Sequence, residues 1–218
     1  MRRLMLLVAL AGLLGGCNMV TSTRPLFTAA DAAGAPQLRP GLWTHPDPGC
    51  AFDAATPAHT WPDCAGSVVV RPTYFRGIRF GSAAPDADSN KAVPVDAVPY
   101  ILAGAYPSVL QVRIGDPGKP KQYVFEGLRP TKLDEAGRVV EARMWLVQCG
   151  PPEPPAADSK GGVYHATKSP LPGLTMQGVD CVARDAETVI RAARASEAWR
   201  QNDGGWGPTI RWVRDRPQ

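Results

Sequence analysis

Tyr123-Val124-Phe125-Glu126-Gly127-Leu128, then Asp134-Glu135-Ala136-Gly137, then Val139-Val140-Glu141-Ala142-Arg143-Met144-Trp145-Leu146-Val147 is the stretch that decides the fold. Two apolar runs flank a short polar loop ending in glycine, which reaches positive φ at no steric cost and so closes β-hairpins. In the return run Val140, Ala142, Met144 and Leu146 fall on one face and Glu141, Arg143 and Trp145 on the other, the period of two of a strand. Upstream, Leu110, Val112 and Ile114 alternate with Gln111 and Arg113, and Gly115-Asp116-Pro117-Gly118 stops that strand. Further back, Val68-Val69-Val70 is a β-branched run, and Tyr74, Ile78 and Phe80 share a face. Residues 81–99 are small, acidic and proline-bearing and read as a loop. Downstream, residues 186–199 form the one good helix. Asp185 can cap it, Val189, Ile190, Ala193 and Glu197 fall at helical spacing, and Glu187 and Arg191 make an i,i+4 pair. Residues 209–213 read as a last strand. These elements predict an α+β fold, an antiparallel β-sheet of about five to seven strands with one C-terminal helix, disulfide-stapled and loop-rich.

The 218 residues include 22 Gly and 23 Pro, so loops are many. An apolar share of 44% and a charged share of 20% fit one soluble core, and exclude both a charge-repelled disordered chain and a polytopic membrane protein. The net charge of +4 falls by two once Arg2 and Arg3 are set aside, too little for an electrostatic footprint on nucleic acid. No nucleic-acid partner is expected.

Met1-Arg2-Arg3 precedes a short apolar run, Leu4 onward, and then small residues, which is the pattern of an export signal. The run is shorter than the roughly 20 residues of a spanning helix. Its end, Leu14-Gly15-Gly16-Cys17, resembles the lipobox of bacterial lipoproteins. The resemblance implies cleavage before Cys17, a diacylglycerol thioether on its sulfur and an acylated (palmitoyl) amine, together enough for stable anchoring. Asn18 rather than Asp follows the cysteine, which implies sorting to the outer membrane with the domain in the periplasm; exposure at the cell surface stays open. The expected organisation is a signal peptide over 1–16, a lipidated N-terminus and tether over 17–38, and a single α+β domain over 39–218. A flexible tether of this length would hold the domain about 25 Å from the lipid. Alternatively, Pro25-Leu26-Phe27 docks on the domain as an extended arm.

Of the five cysteines, Cys17 is assigned to lipid and four remain for an oxidising compartment, so two bridges are expected. Proximity along the chain favours Cys50 with Cys64 and Cys149 with Cys181, each contributing on the order of 3 kcal/mol. The second would pin the ends of the proline-rich excursion over 151–172. The rival reading is a metal site from His45, Asp47, Cys50, His59, Asp63 and Cys64. It lacks the spacings that fix tetrahedral geometry, so no metal is assigned.

The chain has three histidines, His45, His59 and His165, and no Gly-x-Ser-x-Gly. Ser169 near His165 reads as solvated loop, as do the carboxylates Asp86, Asp88, Asp134 and Glu135. With no phosphate-binding glycine loop between strand and helix, neither a catalytic residue nor a cofactor is assigned. Tryptophans at 43, 61, 145, 199, 206 and 212 are expected mostly in the core; alternatively Trp43 and Trp61 join Tyr74 at the rim of a ligand groove. Arg39-Pro40-Gly41-Leu42-Trp43, Trp61-Pro62-Asp63-Cys64-Ala65 and Val147-Gln148-Cys149-Gly150-Pro151-Pro152 have a cadence similar to uncharacterised lipoproteins of high-GC Gram-negative bacteria, and 18 Arg against 6 Lys agrees. That resemblance implies location and no activity. The leading expectation is a membrane-anchored, non-enzymatic structural or interaction module, with an envelope protein or glycan as partner. The alternatives are a binding protein for a small apolar or glycan ligand and a cell-wall-directed hydrolase. An apolar cavity inside the sheet would favour the binder, and His45 or His165 converging with a carboxylate and a hydroxyl would favour the enzyme.

Overall fold

The computed structural model describes residues 18–80, 92–94, 98–104, 106–115, 121–151, 167–202 and 209–215, with side chains at all of these except 59, 75–80, 92–94 and 200–202. The strands are β1 (Val20–Ser22), β2 (Gly41–Thr44), β3 (Ser67–Arg71), β4 (Tyr74–Phe80), β5 (Ala92–Pro94), β6 (Val98–Ala103), β7 (Ser108–Ile114), β8 (Gln122–Leu133), β9 (Val139–Leu146), β10 (Leu174–Gln177), β11 (Asp180–Ala183) and β12 (Thr209–Arg214). One helix, α1 (Ala186–Asn202), lies between β11 and β12.

The expected hairpin is β8–β9. Its turn closes where the Asp134 N–H donates to the Arg138 carbonyl at 2.8 Å and the Gly137 N–H donates to the Asp134 carbonyl at 2.9 Å. Gly137 sits at φ 76°, a conformation that other residues adopt only with strain. From this hairpin the pairing runs β8–β7–β6–β4–β3–β2–β12–β9 and returns to β8, antiparallel at every step. Eight strands therefore close into a barrel, and β5 pairs with β4 beside it. From β8 the sheet also extends through β1 and β11 to β10 as a side flap. Twelve strands are thus formed among the described residues, more than the expected five to seven. The surplus lies where local signals were weak. β5 and the start of β6 fall inside the proline-bearing segment read as loop; the Tyr100 N–H donates to the Thr73 carbonyl at 3.1 Å, so the Pro99 nitrogen faces away from that contact, beyond the last β6–β7 pair, where a missing N–H is tolerated.

Three cores result. One fills the barrel with Trp43, Val70, Leu102, Leu110, Leu128 and Ile210. A second lies between the outer face of β7–β8, the side flap and α1, and includes Val20, Phe27, Val109, Phe125, Val189 and Ala193. The third packs Leu42 and Val69 on the barrel's outside under Trp61 and Phe52, in the loop closed by Cys50. α1 starts at its expected cap. The Asp185 carboxylate accepts the Thr188 N–H at 2.8 Å, and that bond holds its pKa below the usual range. Arg191 turns away from the expected Glu187 pairing and donates to the Pro172 carbonyl and Thr188 hydroxyl, both at 3.2 Å. Trp145 locks the helix to the barrel, its Nε1–H donating to the Ala193 carbonyl at 2.9 Å.

Residues 18–38 differ from the expected tether. Val20 is fully buried, Phe27 is 3% exposed and Leu38 is 6% exposed. The Val20 N–H donates to the Val147 carbonyl at 2.9 Å, and Val20 pairs with Cys181 in a parallel ladder. Gln111 explains how the next segment docks. Its Oε1 accepts the N–H groups of Leu26 (2.7 Å) and Phe27 (3.0 Å), while its Nε2 donates to the Phe27 carbonyl at 3.0 Å. One buried amide so satisfies a stretch of backbone with no strand partner, and Phe27 meets Phe125 edge-on at 6.1 Å. The arm reading describes this segment.

Candidate functional site

Directly opposed residues of an antiparallel ladder project to the same face. Starting from the buried Leu110, its partners Leu102 on β6 and Glu126 on β8 face inward with it, and Glu126 in turn opposes Leu146 on β9. Tyr100, Val112 and Val124 form the next inward row, and Trp43 opposes Val68 and Trp212. The barrel is therefore lined mainly by apolar and aromatic side chains, and among the inward residues whose side chains are described Glu126 is the one charged group.

The lining is not uniformly packed. Leu102 and Leu110 are buried, whereas Val112, Val124, Met144 and Leu146 keep partial exposure although they point into the barrel. Inward residues that remain partly accessible mark where the interior meets solvent. Glu126 faces the same space. It has no hydrogen-bond or ion-pair partner among the described residues, and burial pushes its carboxyl up to about 7. Tyr100, one row away, is also raised by burial, to about 12, and its hydroxyl donates to the Arg71 carbonyl at 2.7 Å. The position of Glu126 was not recognised from the sequence. The signal was present: a lone carboxylate between Val124 and Leu128 in a strand whose other face, Phe125 and Gly127, is also apolar.

Other polar clusters are internally matched. Glu197 on α1 is 5% exposed and pairs with Arg129 at 2.7 Å; burial raises its carboxyl while Arg129 opposes the rise. Arg129 also stacks on Tyr106, 4.9 Å from the ring centroid. On the outside, a groove of about 690 Å³ beside the β8–β9 turn is lined in part by Arg39, Asp134, Arg138, Glu141, Arg211 and Trp212. Its charges pair with one another, Arg138 with Asp134 at 2.8 Å and Arg211 with Glu141 at 3.1 Å, while Arg39 stacks 3.6 Å above Trp212.

The cysteines pair as expected, Cys50 with Cys64 and Cys149 with Cys181, each with Cα atoms 5.8 Å apart. Cys50 and Cys64 are thereby withdrawn from the rival metal set, and no group of three His, Cys, Asp or Glu suited to a metal occurs among the described residues. Cys17 lies outside the described residues. Its neighbour Asn18 is 3% exposed, donating from Nδ2 to the Gly150 carbonyl at 3.1 Å, accepting the Thr167 N–H at Oδ1 and the Cys149 N–H at its carbonyl. The His45 ring packs on Gly66, where φ is 47°. The His165 reading and the side chain of His59 fall outside the described residues, as do Asp86, Asp88 and Trp206. Trp43 and Trp61 do not share a groove: Trp43 is inside the barrel and Trp61 is outside it against Phe52, ring centroids 4.9 Å apart. Among the described residues no helix is long and apolar enough to cross a membrane. No protein-family model, no curated protein and no solved structure matches this chain.

Proposed function

We propose that the chain is a lipid-anchored envelope protein, joined to the membrane through Cys17, whose barrel is a binding module for a small, largely apolar molecule. The observation that carries the binding reading is the closed eight-stranded barrel with an apolar lining that stays partly accessible at Val112, Val124, Met144 and Leu146. A barrel of this size either fills with side chains or holds one small ligand, and this lining is packed in one region and open in another. The anchor reading rests on the charged start, the short apolar run and Leu14-Gly15-Gly16-Cys17. Asn18 after the cysteine supports the outer membrane as its place.

Two measurements test these parts separately. Mass spectrometry of the membrane-extracted protein is expected to show an acylated Cys17 at the mature N-terminus, lost in Cys17→Ser; an intact Met1 start overturns the anchor. Titration with the neutral apolar fluorophore N-phenyl-1-naphthylamine is expected to give saturable one-to-one binding that Leu146→Trp abolishes without loss of fold. Binding that never saturates, or that is indifferent to Leu146→Trp in a variant with native circular dichroism, overturns the binder.

A further inference from the structure

Glu126 is hard to account for as a structural residue. A carboxylate set among apolar side chains loses part of its hydration, and Glu126, which is partly exposed, keeps contact with solvent on one side only. Here the ladder partners are Leu110 on one side and Leu146 on the other, and the neighbours along the inward face of β8 are Val124 and Leu128. None of these offers a hydrogen bond. Of the described titratable groups on the inward faces of β6, β7, β8 and β9, Tyr100 is the only other one, and its hydroxyl is engaged with Arg71. A leucine at 126 would extend the apolar lining without penalty. The carboxylate therefore has no protein partner among the described residues, its only compensation is the solvent that reaches it, and it borders the accessible space.

Resting on the reading that the barrel holds a ligand, we propose that the ligand carries a cationic amine, which ion-pairs with the Glu126 carboxylate while its hydrocarbon part lies against Val112, Val124 and Leu146. A primary or secondary ammonium supplies both the countercharge and an N–H donor, and in a low-dielectric enclosure such a pair is far stronger than in water. A neutral ligand would leave the carboxylate unmatched, and an anionic one would set two like charges together. The amine binds the ionised carboxylate, so its affinity rises with pH through the range in which Glu126 loses its proton, which burial pushes up to about 7.

The test uses the full lipidated chain in phospholipid nanodiscs, with empty nanodiscs as the blank, and three water-soluble probes of equal length: hexylamine, hexanol and hexanoate. Calorimetry at pH 8 is expected to show hexylamine binding at least tenfold more tightly than hexanol and hexanoate weakest, with the amine preference shrinking at pH 6. Glu126→Gln is expected to fold normally and to bind hexylamine and hexanol alike; Glu126→Leu serves as a second variant should the glutamine form prove unstable. Saturable binding of hexanol with no preference for hexylamine overturns this inference and leaves the binding module standing. An amine preference retained in both variants also overturns it, since the recognition then lies elsewhere. Absence of saturable binding by all three probes overturns the binding module itself, and this inference with it.

Discussion

Replacing Gly127 by alanine sets a methyl group where the Trp145 indole lies. Gly127 opposes Trp145 directly in the β8–β9 ladder, and a Cβ built on Gly127 would overlap the ring. Trp145 cannot simply retreat, because it is 3% exposed and its Nε1–H is held by the Ala193 carbonyl of α1 at 2.9 Å. Overpacking of this kind costs about 1–3 kcal/mol, and displacing the ring loses a hydrogen bond worth about 1 kcal/mol. Against this, removing a glycine from a strand recovers about 0.5–1 kcal/mol of backbone entropy. The clash wins, and the net is a loss of roughly 1–3 kcal/mol. At about 2–4 °C per kcal/mol for a domain of this size, Tm is expected to fall by roughly 3–10 °C in a calorimetric scan. Trp145→Phe shortens the ring, so the double variant Gly127→Ala, Trp145→Phe should lose less than the sum of the two single losses. A Gly127→Ala protein that melts with wild type, or strictly additive losses in the double variant, would refute the close approach.

Phe27→Ala should cost about 3–5 kcal/mol by urea unfolding, as a buried phenylalanine does and a tether residue does not; a change under about 0.5 kcal/mol would contradict the docked arm. Cys149→Ser with Cys181→Ser opens a loop spanning 32 residues, for which chain entropy gives a loss of roughly 3.5 kcal/mol; peptide mapping under non-reducing conditions that joins Cys50 to Cys149 instead would void that figure. Glu126 carries a raised pKa, so the folded state holds its proton where the unfolded state releases it, and its contribution to stability is present below pH 4.5 and lost as pH rises to about 7. The difference in unfolding free energy between wild type and Glu126→Gln should therefore shift against wild type by about 3 kcal/mol across that window and stay level above it, and a flat difference would place the carboxyl in water.

The hairpin was legible because its information is local: alternation in 139–146, a glycine at the turn and an apolar run before it. The helix was legible for the same reason, from Asp185 at its start to the Val189 and Ala193 spacing. Barrel closure was not. β12 was readable as a strand, but its insertion between β9 and β2 depends on Trp212 meeting Trp43 and Ile210 meeting Ala142, contacts between distant parts of the chain that leave no local pattern. β1 escaped notice because three residues, Val20–Ser22, are too few to show alternation, and their partners come from β8 and β11. Gln111 looked like the solvent-facing member of an alternating strand, and is buried because its amide serves the backbone of Leu26 and Phe27. Glu126 followed the same logic in reverse: which face of β8 looks inward is settled only when the ring of strands is complete.

Asn18 gives the molecule a mechanical property. Its side chain and carbonyl are bonded to Gly150, Thr167 and Cys149, so the chain is clamped one residue after Cys17, and consecutive Cα atoms are about 3.8 Å apart. With a lipid on Cys17 there is then no slack line between bilayer and barrel. A pull on such a lipid would be delivered at once to Asn18 and Met19 and on into β1, whose ladders to β8 and β11 run along the strand and would share the load in shear. The reach of the barrel from the lipid surface would then be set by the single residue Cys17 and not by the length of a flexible tether.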